Sequence, residues 1–248
     1  MIRTIHAELT KAFTLRSVQV TTAAALVAPP ALALASGLAF DPSSPASAAL
    51  RPVAHGFETA GFGQPLVILL AALIVGGEYL HGSLRTTLLA TPQRGRVFGA
   101  KLVVIAALAL AVGVIATSAA VLLKHAALGE HGLRVSEFTP AMALNLLTVS
   151  INYALIALIA ASITALARTF IVTLIVLIPL VLGLTISLVS VLPPLKFLPD
   201  LAGIQLLTSY AGVGLLDPLP GGLVMAAWAA LLVSSASFMF VRRDTGNG

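Results

Sequence analysis

The residue best placed to do chemistry in this sequence is Glu78, which closes a long apolar stretch. A carboxylate at the C-terminal end of a helix opposes the negative end of the helix dipole. It also costs a few kcal/mol where that helix end still lies in hydrocarbon. Glu78 therefore needs a cation beside it. The nearby cations are Arg85, Arg94, Arg96 and Lys101.

A short amphipathic helix is predicted directly after Glu78. Gly82 ends the preceding helix without steric cost. Ser83 caps the next helix by accepting a hydrogen bond from a backbone N–H, and Pro92 stops it. A helix over 84–91 is too short to be stable alone in water, so it must dock against another surface. Its docking faces carry Leu84, Arg85, Leu88, Leu89 and Thr91.

The composition requires a lipid bilayer as solvent. Of 248 residues, 58% are hydrophobic and 9% are charged, whereas a soluble domain carries about 25% charged residues. Cysteine is absent, which excludes a disulfide framework and a thiolate metal site. The net charge of +5 does not indicate nucleic-acid binding, because the basic residues stand at the borders of apolar segments.

The predicted fold class is an all-α integral membrane protein with six transmembrane helices. A spanning helix needs about 20 apolar residues, and none of the segments alternates like a membrane β-strand. The spans lie at about 18–40, 63–81, 100–123, 141–166, 170–192 and 221–241. An amphipathic helix over 1–17 precedes them, a loop over 82–99 separates the second and third, and a tail over 242–248 follows.

Basic residues set the predicted orientation. With the N-terminus in the cytoplasm, ten of the 14 lysines and arginines lie inside, so both termini are predicted to be cytoplasmic. The ten are Arg3, Lys11, Arg16, Arg85, Arg94, Arg96, Lys101, Arg168, Arg242 and Arg243. The first span, followed by Ala46-Ser47-Ala48, also has features of a cleaved signal peptide. We favour its retention, since the apolar stretch is longer than a usual signal core.

The first residues of the chain are predicted to form a helix that lies flat in the headgroup layer. Apolar residues at i, i+3 and i+4 spacing share one face, namely Ile2, Ile5, Leu9, Ala12 and Phe13. Arg3, Glu8, Thr10 and Lys11 lie elsewhere, where basic side chains reach anionic lipid. Two roles stay open, a passive anchor or a helix that moves with a partner protein.

The order of residues from Glu78 to Lys101 resembles the first cytoplasmic loop of ABC-2 type permeases, the membrane subunits of ABC transporters. The family pattern is Glu, then Gly-Thr-Leu-Arg, then a later Gly/Ala-Lys. In this chain it reads Glu78, then Gly82-Ser83-Leu84-Arg85, then Ala100-Lys101. Serine at position 83 keeps the hydroxyl of the usual threonine. The motif covers about residues 76–101, while the six-span layout covers nearly the whole chain.

The resemblance implies a coupling helix that inserts into a groove on a separate ATPase subunit. The residues implied in this coupling are Glu78, Gly82, Ser83, Leu84, Arg85, Leu88, Leu89, Arg94, Arg96 and Lys101. Two permease chains, identical or related, would pair above two ATPase subunits in the bacterial cytoplasmic membrane. No Gly-x-x-x-x-Gly-Lys-Ser/Thr sequence occurs here, so ATP and Mg²⁺ belong on the partner. This chain is therefore expected to be no enzyme and to hold no cofactor.

Three polar residues form a stripe along the fourth span, namely Asn145, Thr148 and Asn152 at i, i+3 and i+7. An asparagine in lipid must find partners. The stripe is either a set of interhelical hydrogen bonds, which we favour, or a wall of the substrate path. No charged residue stands in the middle of a predicted span, which disfavours a proton pump and favours an apolar or amphipathic cargo.

The loops on the far side from the termini are predicted to be solvated. The loops 41–62 and 124–138 hold His55, His125 and several carboxylates. Histidine and glutamate together can bind a divalent metal, but no third ligand stands at a telling spacing, so we expect no metal. A short re-entrant or surface helix is predicted within 201–216.

Three other classes of protein compete with the exporter permease. A non-transporting scaffold, assembly or immunity protein would show the same spans, but it has no need of a capped helix between basic flanks. An intramembrane enzyme would need a nucleophile with a histidine inside the bundle, or a His-Glu-x-x-His sequence, which is absent. A secondary transporter usually shows internal repeats and intramembrane ionisable residues. The scaffold is the main alternative.

Overall fold

The computed structural model describes residues 1–43, 52–80, 93–208 and 214–242, and these residues form helices and turns. The prediction of six spans is confirmed, since six helices are long and apolar enough to cross a membrane. The helices are α1 (Ile2–Thr14), α2 (Arg16–Leu38), α3 (Gln64–Leu80), α4 (Arg94–Ala127), α5 (Pro140–Ala167), α6 (Phe170–Pro179), α7 (Thr185–Leu188), α8 (Pro199–Ile204) and α9 (Pro218–Arg242).

Helices α4 and α5 form the centre of the bundle. They pack along each other, α2 packs on α4, and α3 and α9 pack on α5. A Cβ on Gly113 would lie 2.7 Å from the Cα of Ser150, so a residue without a side chain lets the two backbones come close there. In contrast, α6 and α9 bury little of their length and leave apolar faces toward the bilayer.

Helix α4 is longer than the predicted third span at both ends. It begins at Arg94 and continues to Ala127, so Lys124 and His125 lie in its last turn rather than in a solvated loop. The side chain of His125 is buried, and its Nδ1 accepts a hydrogen bond from the backbone N–H of Leu133 at 3.0 Å. The prediction was wrong here because the chain after α4 folds back onto the helix end.

Much of the stretch 55–63 of the predicted loop 41–62 is packed rather than solvated, whereas residues 41–43 are exposed as expected. Residues Phe57–Gly63 form a 3₁₀ helix in which Phe57 is buried, and His55 just before it is buried too. Gly56 has a φ of 91°, and a Cβ there would lie 2.5 Å from the Cα of Val121, so glycine lets this turn press onto α4. Within the described residues, no group of three metal-ligating side chains converges.

The fifth span is broken after Pro179. The chain passes from α6 into a π-helical turn, Leu180–Leu184, and then into α7. Gly183 in that turn has a φ of 112°, a conformation that favours glycine. The predicted fifth span, about 170–192, is present over Phe170–Leu188, and its helix is interrupted after Pro179, the residue expected from the sequence to loosen it.

The short helix α8 starts earlier and is shorter than the helix predicted within 201–216. Pro199 occupies its first turn, where a missing N–H costs nothing. The carboxyl group of Asp200 is buried and accepts a hydrogen bond from the Thr185 hydroxyl. Burial is also the main cause that raises the pKa of this carboxyl.

Replacing Gly63 by alanine is expected to destabilise the bundle. The new Cβ would meet the Tyr153 hydroxyl oxygen at 1.9 Å, and that hydroxyl is held by the carbonyl of Ala60 at 2.5 Å. Overpacking of this kind costs about 1–3 kcal/mol. The measurement is the melting temperature in mild detergent, with Gly61→Ala as the control, because a Cβ at Gly61 has no atom within 4 Å. Equal melting temperatures of the two variants would contradict this packing.

Candidate functional site

The site lies at the end of the bundle that carries α1, here called the α1 end. Leu15 separates α1 from α2 with an extended backbone, φ −83° and ψ 118°. This break lets α1 lie against α4 and α2 instead of prolonging the first span. Ile2, Leu9 and Phe13 remain exposed on its far face, where lipid would meet them.

Helix α1 turns two charged side chains inward. Glu8 and Lys11 stand three positions apart, so they lie on the same side of the helix. Glu8, which the sequence places off the apolar face, is 4% exposed. The prediction that basic side chains of α1 reach anionic lipid is wrong for Lys11, because α1 uses this face to reach charges on α3 and α4.

Those charges are Glu78 in the last turn of α3 and Lys101 near the start of α4. Both are buried, at 4% and 2% exposed. The predicted coupling helix, residues 82–92, belongs to the chain between these two helices. Its residues Gly82, Ser83, Leu84, Arg85, Leu88 and Leu89 lie outside the described residues.

Two acids and two cations meet in this site, here called the charge cluster (Glu8, Lys11, Glu78 and Lys101). Lys101 Nζ lies 3.2 Å from Glu78 Oε1 and also pairs with Glu8 Oε2. Lys11 Nζ pairs with the same oxygen of Glu78. The charges sum to zero, and their pairing offsets part of the cost of burying Glu8, Glu78 and Lys101, while the side chain of Lys11 stays 32% exposed.

The charge cluster connects three helices that are far apart in sequence. Lys101 of α4 holds Glu8 of α1 and Glu78 of α3 at once. A small cavity of about 200 Å³ lies beside it. The cavity is lined by Glu8, Lys11, Ala12, Leu15, Ile74, Gly77, Glu78 and Lys101. Any displacement of α1 relative to α3 therefore changes ion pairs of a buried lysine.

Among the four cations predicted as partners of Glu78, Lys101 pairs with it. Arg96 is exposed and donates to Gln93 Oε1 at 3.2 Å. Arg94 is half-buried at the start of α4. Arg85 lies outside the described residues.

The sequence reasoning missed Lys11 and Glu8 as members of the site. The sequence did contain an indication. Glu8 and Lys11 are an acid and a base three residues apart on α1, and their charges complement those of Glu78 and Lys101, which flank the loop. Pairing them requires knowing that α1 lies against α4, and the amphipathic pattern alone does not contain that contact.

The polar stripe on α5 faces neighbouring elements at the opposite end of the bundle. Asn152 Nδ2 donates to the carbonyl of Gly203 at 2.8 Å, and Asn152 Oδ1 accepts from Gln64 at 2.8 Å. Thr148 donates to the carbonyl of Leu206 at 2.9 Å. Asn145 is half-buried one turn away. These are bonds between elements, and a role of the stripe in a substrate path stays a prediction.

Comparison with known proteins gives one family. Residues 4–189 match the model of a family described as "ABC-2 family transporter protein", which is more than half of the chain. No curated protein matches this sequence.

Replacing Lys101 by methionine is expected to destabilise the protein strongly. The change leaves Glu8 buried without a described cation, and breaking a buried pair in this way costs about 3–5 kcal/mol. We expect the melting temperature of Lys101→Met in mild detergent to be far below that of the wild type. Arg96→Met is the matched control, because Arg96 is exposed on the same helix. A Lys101→Met protein as stable as this control would show that the cluster contributes nothing to the fold.

Proposed function

The chain belongs to the ABC-2 family of transporter proteins, and from this premise we propose that it is the permease of an exporter driven by a separate ATPase. The family makes it a membrane transport subunit that works with an ABC ATPase. The proposal covers how the ATPase moves this chain, how the chain is oriented in the membrane, what it carries and with which subunits it assembles.

The observation that carries the proposal is the charge cluster at the base of the loop between α3 and α4. Glu78 stands at one end of that loop and Lys101 follows its other end. A partner that pushes on residues 81–92 therefore moves the two helices whose ends are joined by these ion pairs. Because Lys101 also holds Glu8, the same push reaches α1.

In this proposal the loop docks on the ATPase through the residues of its amphipathic segment. Leu84, Leu88 and Leu89 supply apolar contacts, and Arg85 supplies a charge. ATP binding closes the ATPase pair and displaces this segment. The charge cluster then transmits the displacement to α1, α3 and α4, with α1 acting as a moving elbow rather than a passive anchor.

The α1 end faces the cytoplasm in this proposal, and the membrane is the bacterial plasma membrane. The basic residues support this orientation, since the described part of the α1 end carries Arg3, Lys11, Arg16, Arg94 and Arg96. A second permease chain covers part of the exposed apolar faces, and two ATPase subunits bind beneath the pair.

The cargo is an apolar or amphipathic molecule that moves outward. The support is chemical, because the predicted spans carry no charged side chain in their middle to bind a small ion or relay a proton. A place for Asn145, Thr148 and Asn152 in the wall of the path stays the less favoured of the two predictions made for this stripe.

Replacing Leu88 by aspartate is expected to release the ATPase while leaving the bundle folded. A charge in the apolar groove of a partner is costly to desolvate. The measurement is purification from native membranes in mild detergent, followed by mass spectrometry of the proteins that come with the chain. Wild type should bring an ATP-binding protein in near-equal amount, and Leu88→Asp should lose at least nine-tenths of it, since 1.4 kcal/mol is tenfold in affinity.

The control is Thr86→Asp, which puts the same charge on the other side of the predicted segment and should keep the partner. A wild-type chain that purifies folded and alone would favour the scaffold, assembly or immunity role instead. Loss of the ATP-binding protein in both variants would show that the loss is not specific to position 88, and it would contradict the place of Leu88 on the docking face.

A tag at the C-terminus is expected to be protected from protease in intact cells. Six spans and a cytoplasmic N-terminus return the chain to the cytoplasm, where Arg242 lies at the end of α9. The measurement is tag cleavage before and after the membrane is permeabilised. Cleavage of the tag in intact cells would show that the orientation is the reverse of the proposed one. The charge cluster would then lie on the side of the membrane opposite to a cytoplasmic ATPase.

A further inference from the structure

We propose that the His125 side chain is a proton-binding site that controls the segment folded over the end of α4. This segment, here called the cover (residues 128–138), follows α4 directly and contains two short 3₁₀ helices, Gly129–His131 and Val135–Glu137. While His125 is neutral, its ring holds the cover in place. When the ring takes up a proton, the bond between them is lost and the cover opens. This inference goes beyond the proposed function and depends on no partner protein.

The backbone of the cover rests directly on the end of α4. A Cβ on Gly132 would lie 2.1 Å from the carbonyl oxygen of His125, so glycine is needed where the chain crosses the helix end. Leu133 and Phe138 are partly buried against the core, and the ring centroids of Phe138 and His125 are 5.5 Å apart. The side chain of His125, 4% exposed, therefore lies underneath the cover.

One hydrogen bond ties the cover to the imidazole beneath it. The backbone N–H of Leu133 donates to His125 Nδ1 at 3.0 Å. Because the lone pair of Nδ1 is occupied in this way, the hydrogen of the neutral ring is on Nε2. Within the described residues, Nε2 is buried and has no hydrogen-bond partner. The bond from Leu133 therefore both selects the tautomer of the ring and holds the backbone of the cover.

Protonation of His125 turns this bond into a repulsive contact. An imidazolium carries a hydrogen on both nitrogens, so Nδ1 would point a donor at the donor N–H of Leu133. The bond cannot form in that state, and a charge buried under the cover also loses its hydration. Other hydrogen bonds of this segment, such as that from the N–H of Gly132 to the carbonyl of Gly129 at 3.1 Å, lie within the cover and do not hold it to α4.

The neighbours of His125 among the described residues offer no unpaired carboxylate to an added proton. The charged and titratable ones are Lys124 on α4, and His55 and Glu58 on the segment before α3. Glu58 Oε1 already pairs with Lys124 Nζ at 3.1 Å, and Lys124 also bonds to Ser36 at 2.8 Å. The ring of His55 is buried, with its centroid 6.1 Å from that of His125. A further positive charge at this place therefore favours the open cover.

The ionisable side chains of the cover itself do not respond to its opening. They are exposed, namely Glu130, His131, Arg134 and Glu137. Glu137 Oε2 accepts from the backbone N–H of Arg134 at 2.8 Å, and His131 packs on Phe40 with ring centroids 5.9 Å apart. Because these groups are in water whether the cover is closed or open, their titration does not separate the two states. His125 is buried in one state and hydrated in the other.

The direction of the pH dependence follows from this difference. The open cover exposes His125 to water, where histidine has its ordinary pKa of about 6.5. The closed cover excludes the proton, so it is most stable above that pH and loses stability as the pH falls below it. From about pH 7.5 to about pH 5 the ratio of open to closed cover then rises about thirty-fold. In the orientation of the proposed function this end faces outside, where acid would uncover the pair of Lys124 and Glu58.

The test is hydrogen exchange of the Leu133 amide in the full chain, purified in mild detergent. Both ends of the protein then contact the buffer, so the result depends neither on the orientation nor on the ATPase. The measured quantity is the protection factor, which divides out the intrinsic effect of pH on exchange and reports local opening. We expect the protection factor of Leu133 to fall about thirty-fold from about pH 7.5 to about pH 5. That of Ile156, in the core of α5, should stay unchanged.

His125→Asn separates the hydrogen bond from the titration. The asparagine Oδ1 stands about where the imidazole Nδ1 was, so it can accept from Leu133 but takes up no proton near neutral pH. The protection factor of Leu133 in this variant should not depend on pH, and His125→Gln serves in the same way if His125→Asn does not fold. His131→Asn is the matched control. It removes an exposed imidazole from the cover itself, and it should keep the full fall in protection.

Three results would overturn the proposal. The first is a wild-type protection factor at Leu133 that does not change with pH. The second is a fall that persists in both His125→Asn and His125→Gln, because the proton would then bind at another group, such as His55. The third is an equal fall at Ile156, which would mean that acid loosens the whole bundle rather than the cover.

Discussion

The rest of this structure depends on the burial of one ammonium group, that of Lys101, between two carboxylates. A lysine 2% exposed near a membrane border is tolerated only when opposite charges surround it. Glu8 and Glu78 satisfy that demand from two different helices. This constraint fixes where α1 lies and brings the end of α3 to the start of α4. It thereby positions the two helix ends that the loop connects.

The cluster also has a mechanical consequence, because Lys101 belongs to a helix that crosses the entire molecule. Helix α4 has 34 residues and is about 50 Å long at 1.5 Å per residue. Near its other end Lys124 pairs with Glu58 at 3.1 Å and bonds to Ser36 at 2.8 Å. A single helix thus carries a buried lysine at each end, so a shift of α4 along its axis would disturb ion pairs at both ends.

The sequence predicts the spans well because apolar length is a local property. It predicts that Glu78 needs a nearby cation and names Lys101 among four candidates, since that need can be read within one loop, but it does not choose Lys101 from the four. It does not predict that Glu8 is buried, because that depends on where α1 docks. It also misplaces His125 in a loop. This side chain is covered by a turn after α4, in which the backbone N–H of Leu133 donates to His125 Nδ1, and that contact cannot be read from the spacing. Contacts between distant segments, such as Asn152 with Gly203, lie outside what spacing can reveal.

The central claim, that Lys101 is what makes the burial of Glu8 tolerable, is tested most directly by a double-mutant cycle. The variants are Glu8→Gln, Lys101→Met and the two together, and the measured quantity is the free energy of unfolding in mild detergent. If the account is right, the double variant is at least as stable as Lys101→Met alone, because the neutral amide that replaces the Glu8 carboxylate no longer needs the ammonium. Losses that simply add would mean that the two side chains do not depend on each other, and would contradict the account.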